Sequence, residues 1–167
     1  MLVIACCAAP LASAGDLPSL LVNPSFETWT ERAKTPDGWY FHSDSKLHST
    51  FTRTQGDAPD GQWSARVYVP ANDFVALQQY VAVEPSTKYR FTFRSRGTFQ
   101  GKTVLVVEPT GGMAFEVDRT WDFDSPWRET SFEFMTWPEQ KQAGPQFRLI
   151  GKGVVWFDRV VLEKVTP

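Results

Sequence analysis

Acidic side chains at short spacings are the first candidates for chemistry in this 167-residue chain. In Glu116-Val117-Asp118-Arg119-Thr120-Trp121-Asp122, a two-residue period puts Glu116 and Asp118 on one face of a strand. Retaining glycoside hydrolysis places its paired carboxylates that way. The last acid is Asp122, one methylene shorter than a glutamate, and the chain is short for walling a substrate cleft. The expectation is therefore no catalysis, with Glu116 and Asp118 on a solvated strand edge. The two histidines, His42 and His48, belong to no metal-ligand pair, and no G-x-S-x-G elbow occurs. Both read as surface or loop residues. Gly111-Gly112 is followed by Met113 and Ala114, which makes it a hairpin turn and not a phosphate loop.

Glu27 and Asp158 pose a different problem. They are acids in apolar surroundings at opposite ends of the chain, and burying either unpaired costs several kcal/mol. If the first and last strands pair, the two carboxylates meet and share a cation, or each is satisfied by backbone N–H groups. Arg159 is the one basic residue fixed nearby, and strand alternation sends it to the opposite face. Hard oxygen donors of this kind suit Ca²⁺.

The elements that must position these residues are strands. Odd positions 89, 91 and 93 are aromatic and the even ones between them polar, the pattern of a half-buried antiparallel strand with a basic outer face. Segments 129–134 and 146–149 repeat it, and 49–54, 64–69, 74–83, 102–108 and 154–165 are further strand candidates. Between them stand turn signals such as Asp60-Gly61, Glu84-Pro85-Ser86, Gly144-Pro145 and Gly151-Lys152-Gly153. No helical periodicity lasts, so the expected architecture is all-β: one two-sheet antiparallel β-sandwich, a jelly roll, over 15–167.

Composition narrows the function classes. A net charge of −2 supplies neither a nucleic-acid footprint nor a polybasic membrane patch. Residues 1–14 read as a signal peptide, an apolar stretch closed by Ala12-Ser13-Ala14, too short to span a bilayer. No Lys or Arg precedes the apolar stretch, and Val3-Ile4-Ala5-Cys6 offers lipoprotein anchoring as the alternative. Both cysteines, Cys6 and Cys7, fall inside this segment, so the exported domain has no disulfide. The protein is expected to be secreted or periplasmic, and a monomer.

Six segments in order carry a resemblance: Leu20-Leu21-Val22-Asn23-Pro24-Ser25-Phe26-Glu27, Pro36-Asp37-Gly38-Trp39, residues 58–67, residues 79–89, Trp127 leading into Phe132-Glu133-Phe134, and residues 155–162. Together they resemble carbohydrate-binding modules of the family 4/9/22 kind, the jelly-roll modules of xylanases and glucanases. Pro24 replaces the usual Gly, and Arg159 stands where a second Asp is frequent. The stretch from Glu116 also looks like the acidic motif of family 16 glycoside hydrolases. The module resemblance implies a structural Ca²⁺ at Glu27, Asp158 and Asp60, with the carbonyl of Trp63. It also implies binding of a polysaccharide or oligosaccharide chain in an aromatic-lined cleft, where flat rings stack on the C–H faces of sugars. Phe74 falls near the place of a cleft Trp, and Phe115 near a second family aromatic. Trp121 and Trp137 are in loop contexts, and Gln78 is placed to reach hydroxyls. Trp39, Phe91, Phe93 and Trp156 are expected in the core, with Trp63 under the ion site. The competing reading is an extracellular domain of the same fold that binds a protein partner and no sugar.

Overall fold

In the computed structural model, residues 19–30, 35–44, 48–108, 115–118 and 126–166 are described, with backbone alone over 105–108 and 115–118. The expected signal segment 1–14 and Trp121 lie outside them. The described chain is all strand and loop: β1 (Tyr40–Ser43), β2 (Thr50–Gln55), β3 (Trp63–Gln78), β4 (Val81–Ala82), β5 (Lys88–Glu108), β6 (Phe115–Asp118), β7 (Arg128–Met135) and β8 (Gln142–Lys164). No helix among these residues is long and apolar enough to cross a membrane.

All pairings are antiparallel, in the order β1-β3-β8-β5-β6, with β2 on β3, β4 on β8 and β7 on β5. The sheet is curled into two layers because β3, β5 and β8 each serve both. The first halves of β3 and β5 join β2, β7 and the second half of β8 in a first layer. Their second halves join β1, β6 and the first half of β8 in a second layer. Phe91, Phe93, Phe147, Val155, Phe157 and Leu162 fill the space between, each at most 5% exposed. Phe147 stacks on Phe157 at 4.3 Å and meets the edge of Phe93 at 4.8 Å. This is the expected jelly-roll sandwich.

The strands are longer than expected because Gly151-Lys152-Gly153 is a bend and not a turn. Where the paired strands β5 and β8 bend together, Gly97 and Gly101 of β5 and Gly151 and Gly153 of β8 take φ between 141° and 151°. A Cβ on any of the four would stand 2.2 Å from a backbone oxygen of the facing strand. Only glycine lets two paired strands bend together so closely. The matching bend in β3 is an irregularity between Val69 and Asp73, which joins two stretches that read separately in the sequence.

A second irregularity corrects a sequence expectation. The register of β5 on β8 slips between Thr92 and Arg94, and Arg159 takes φ 49° as the extra residue of a bulge. Simple alternation beyond Asp158 therefore fails. Trp156 is also not a core residue, being half-buried on the outer face of the first layer.

Gly151→Ala is expected to destabilise the fold by about 3 kcal/mol or more, read by denaturant titration. Gly56→Ala, also at positive φ but with open space around it, should cost about 1 kcal/mol. Equal costs at the two positions would remove the bend as the reason for the glycines.

Candidate functional site

The carboxylate cluster is assembled by the N-terminal segment. Asn23 adopts φ 53° and closes a turn with its side chain, donating to Thr28 O at 2.7 Å and accepting from Thr28 N at 3.0 Å. Its carbonyl accepts from the Trp39 indole at 3.1 Å. This turn drives Phe26 into the core, fully buried with its ring 5.1 Å from Trp39. The next residue, Glu27, reaches the loop before β3, where its Oε1 accepts from Gln62 N at 2.8 Å and Trp63 N at 2.7 Å. Gly61 makes room: a Cβ there would lie 2.5 Å from that same oxygen.

Asp158 holds the other side of this loop. It is fully buried, and its two oxygens accept from Asp60 N at 2.8 Å and Arg159 N at 2.7 Å. Burial pushes its carboxyl up to about 8, against the pull of those two N–H groups, and the charges of Asp60 and Glu27 push the same way. Burial also raises Asp60, with Glu27 adding to it while Arg159 and Arg94 oppose. Oδ2 of Asp60 is buried without a hydrogen-bond partner. Glu27, Asp60 and Asp158 thus share one electrostatic neighbourhood, as the sequence implied. Arg159 acts on it too, through its charge.

The donors fit a hard cation in chemistry. They are carboxylate oxygens, one of them an orphaned buried atom. Their arrangement is looser than a formed site: among the described residues, no three His, Cys, Asp or Glu side chains are placed to hold a metal.

The outer face of the second layer gathers a different set. By register, Tyr40, Gln78 and Gln146 form one row; His42, Ala76, Arg148 and Val104 the next; and Phe74, Ile150 and Lys102 the third. The floor is buried at Ala76, Val104 and Gln146, while Tyr40 and Ile150 are 64% and 43% exposed at its margins, so the face is a trough. Its polar groups are linked: Gln146 donates to Gln78, and Arg148 donates to Gln146. Asp73 shapes the end beside Phe74, accepting from Ser43 Oγ at 2.7 Å and Ser49 Oγ at 2.6 Å. There an open depression of about 630 Å³ is lined by Asp44, Asn72, Phe74, Gln100 and Ile150.

The structure brings Phe74 and Gln78 onto this one face. Phe115 stands in β6 opposite Val107, one residue out of step with the Gln78 row. Glu116 and Asp118 take register positions in the Gln146 and Arg148 rows. Trp137 belongs to the turn before β8, where its carbonyl accepts from Ser86 N and Gln140 N, both at 3.1 Å. Gln142 and Ile150 are eight residues apart on β8, about 26 Å of strand, so Trp137 is remote from Phe74. Sequence reasoning missed Tyr40, His42, Gln146 and Arg148. The ring of His42 is 6.2 Å from Phe74, and its Nε2 is 2.6 Å from Asp44. The alternation Gln146-Phe147-Arg148-Leu149 was the available signal for two of them.

No protein-family model matches the sequence, and no curated protein does. Solved structures do. A CBM4 carbohydrate-binding module superposes with a TM-score of 0.66 at 12% identity, covering 87% of this chain and 99% of that one. The fold is that of carbohydrate-binding modules. TmCBM61 in complex with β-1,4-galactotriose gives 0.61 at 19% identity, over 88% and 99% of the two chains. The enzymatically active domain of tailspike protein 4 from bacteriophage CBA120 gives 0.74 at 14% identity. It matches 89% of this chain, which spans only 22% of the tailspike chain. At these identities the likeness to the modules and the tailspike is one of fold.

A pH dependence follows from Asp158. An unfolded Asp titrates near 4 and the folded one at about 8, so between those values the folded state holds the extra proton. The contribution of Asp158 to stability is then greatest below about pH 4 and falls as pH rises toward 8, by at most about 1.4 kcal/mol per pH unit. Melting temperature in chelator should show this decline, and Asp158→Asn should flatten it. A flat profile in the parent protein would contradict the burial of an unneutralised carboxyl.

Proposed function

We propose that the chain is a non-catalytic glycan-binding module whose ligand lies along the trough of the second layer. The observation that carries this reading is the trough itself, which sets an aromatic ring, Phe74, and linked side-chain amides two rows along on one strand-built floor. A sugar ring needs both: an apolar surface for its C–H face and oriented polar groups for its hydroxyls. The module fold supports the reading, and so does the galactotriose bound by one structure of that fold. Phe74, Gln78, Gln146 and Arg148 would contact the ligand. Affinity electrophoresis against galactan, xylan, β-glucan and mannan tests it. At least one polymer should retard the protein, and Phe74→Ala should weaken binding about tenfold. Retardation by none of them, or binding indifferent to Phe74→Ala and Gln78→Ala, would overturn it. Hydrolysis products on the same panel, lost in Glu116→Gln, would instead support the catalytic reading.

Calcium belongs to the same proposal. Glu27, Asp60 and Asp158, with the carbonyl of Trp63, would hold it. Bound there, the ion supplies the positive charge that three neighbouring carboxylates need. Glu27 and Asp158 already fix the loop leading into β3 through three backbone N–H groups, those of Asp60, Gln62 and Trp63, so the cation would lock the N-terminal segment to β8. Added Ca²⁺ at about 100 times its Kd should stabilise the fold by about 2.7 kcal/mol. Asp158→Asn should abolish the gain. A melting temperature indifferent to Ca²⁺ would exclude the ion.

A further inference from the structure

The outer face of the first layer carries a second set of aromatic and basic groups, on the opposite side of the sandwich from the trough. By register, Thr52, Arg66, Trp156 and Arg96 form one row, and Thr50, Tyr68, Val154 and Thr98 the next. The Arg66 guanidinium lies 5.2 Å from the Tyr68 ring and 5.8 Å from that of Trp156. Arg96 is clamped between Trp156 at 5.2 Å and Trp127 at 4.9 Å.

The two arginines differ in what satisfies them. Arg96 is paired with Asp57, and its Nε is buried. Further along this face Arg90 pairs with Glu133 and Glu163, and Arg94 with Glu129. Arg66 has ring contacts but no carboxylate or other hydrogen-bond acceptor among the described residues. Lys152, exposed two register rows beyond Trp156 on β8, has none either. Stacking fixes the plane of the Arg66 guanidinium and leaves its N–H edges for an oxyanion. Tyr68, 40% exposed beside it, and the hydroxyls of Thr50, Thr52 and Thr98 extend the surface in the manner of a sugar platform.

The geometry points to a second binding site on this face, for a polysaccharide bearing anionic groups, with Arg66 gripping a carboxylate or sulfate and Tyr68 stacking on the neighbouring ring. Lys152 adds a second positive charge for a further anionic unit of the same chain. The site stands apart from the trough and does not depend on it.

Affinity electrophoresis of the full chain through polygalacturonate, its fully methyl-esterified form and chondroitin sulfate tests the site. Retardation is expected in the anionic polymers and not in the esterified one, and it should weaken with added salt. Preference between polygalacturonate and chondroitin sulfate tells carboxylate from sulfate recognition. Arg66→Ala should weaken binding about tenfold or more, and Tyr68→Ala and Lys152→Ala should each weaken it, with melting temperatures confirming folded variants. Phe74→Ala should leave it unchanged, which separates this site from the trough. The proposal is overturned if the esterified polymer binds equally well, or if Phe74→Ala abolishes binding while Arg66→Ala does not. It is also overturned if folded protein passes all the anionic gels unretarded, or if single-stranded DNA binds as tightly as the glycans.

Discussion

Two hydrogen-bonded strands cannot bend together at these backbone angles if a side chain at the bend would meet the neighbouring strand's carbonyl. Everything else in this molecule rests on how Gly97, Gly101, Gly151 and Gly153 meet that constraint. Because β5 and β8 bend together there without breaking, the same three long strands build both layers. The trough on one layer and the arginine–aromatic row on the other are thereby rigidly related: each is an outer face of the same continuous ladders. Phe74 and Gln100 line the depression next to the bend, so the shape at that end of the trough is set by the backbone there.

The carboxylate cluster shows a local sequence signature resolved into separate physical duties. In Asn23-Pro24-Ser25-Phe26-Glu27, Asn23 supplies a left-handed turn with its own side chain as the brace, and Phe26 is the apolar plug. Glu27 is the hook that catches two amides of a distant loop. Asp158 catches the other end of that loop from inside the last strand. The arrangement costs desolvation, visible in how far burial lifts the Asp158 carboxyl. That cost keeps the cluster responsive to protons.

Much of this was legible in the sequence because alternation reports which face a residue takes. Tyr89, Phe91 and Phe93 are buried and Arg90 lies outward, as their two-residue period requires. Where the period breaks, reading fails. Gly151-Lys152-Gly153 has the composition of a turn, and only the facing glycines of β5 reveal a bend. The bulge at Arg159 went unforeseen because a bulge leaves no mark in composition. Trp156 read as core because it falls in the closing segment that resembles the module family, yet its row partners are Arg66 and Arg96. Arg148 and Gln146 went unnoticed as trough residues because alternation shows that they share a face and not what that face is for.

The position of β8 has a consequence for how the chain becomes folded. It lies between β3 and β5, which pair with it along nearly their whole lengths and not with each other. Tyr89 waits for Lys164, and Ala65 for Phe157. Until residues 142–164 exist, both long strands present open edges, and the aromatics meant for the core have no opposite wall. Folding must therefore proceed through late, long-range pairings, which are slow and leave strand edges exposed to neighbouring chains. A chain delayed in this way can still be handled as an unfolded thread after most of its length has been made.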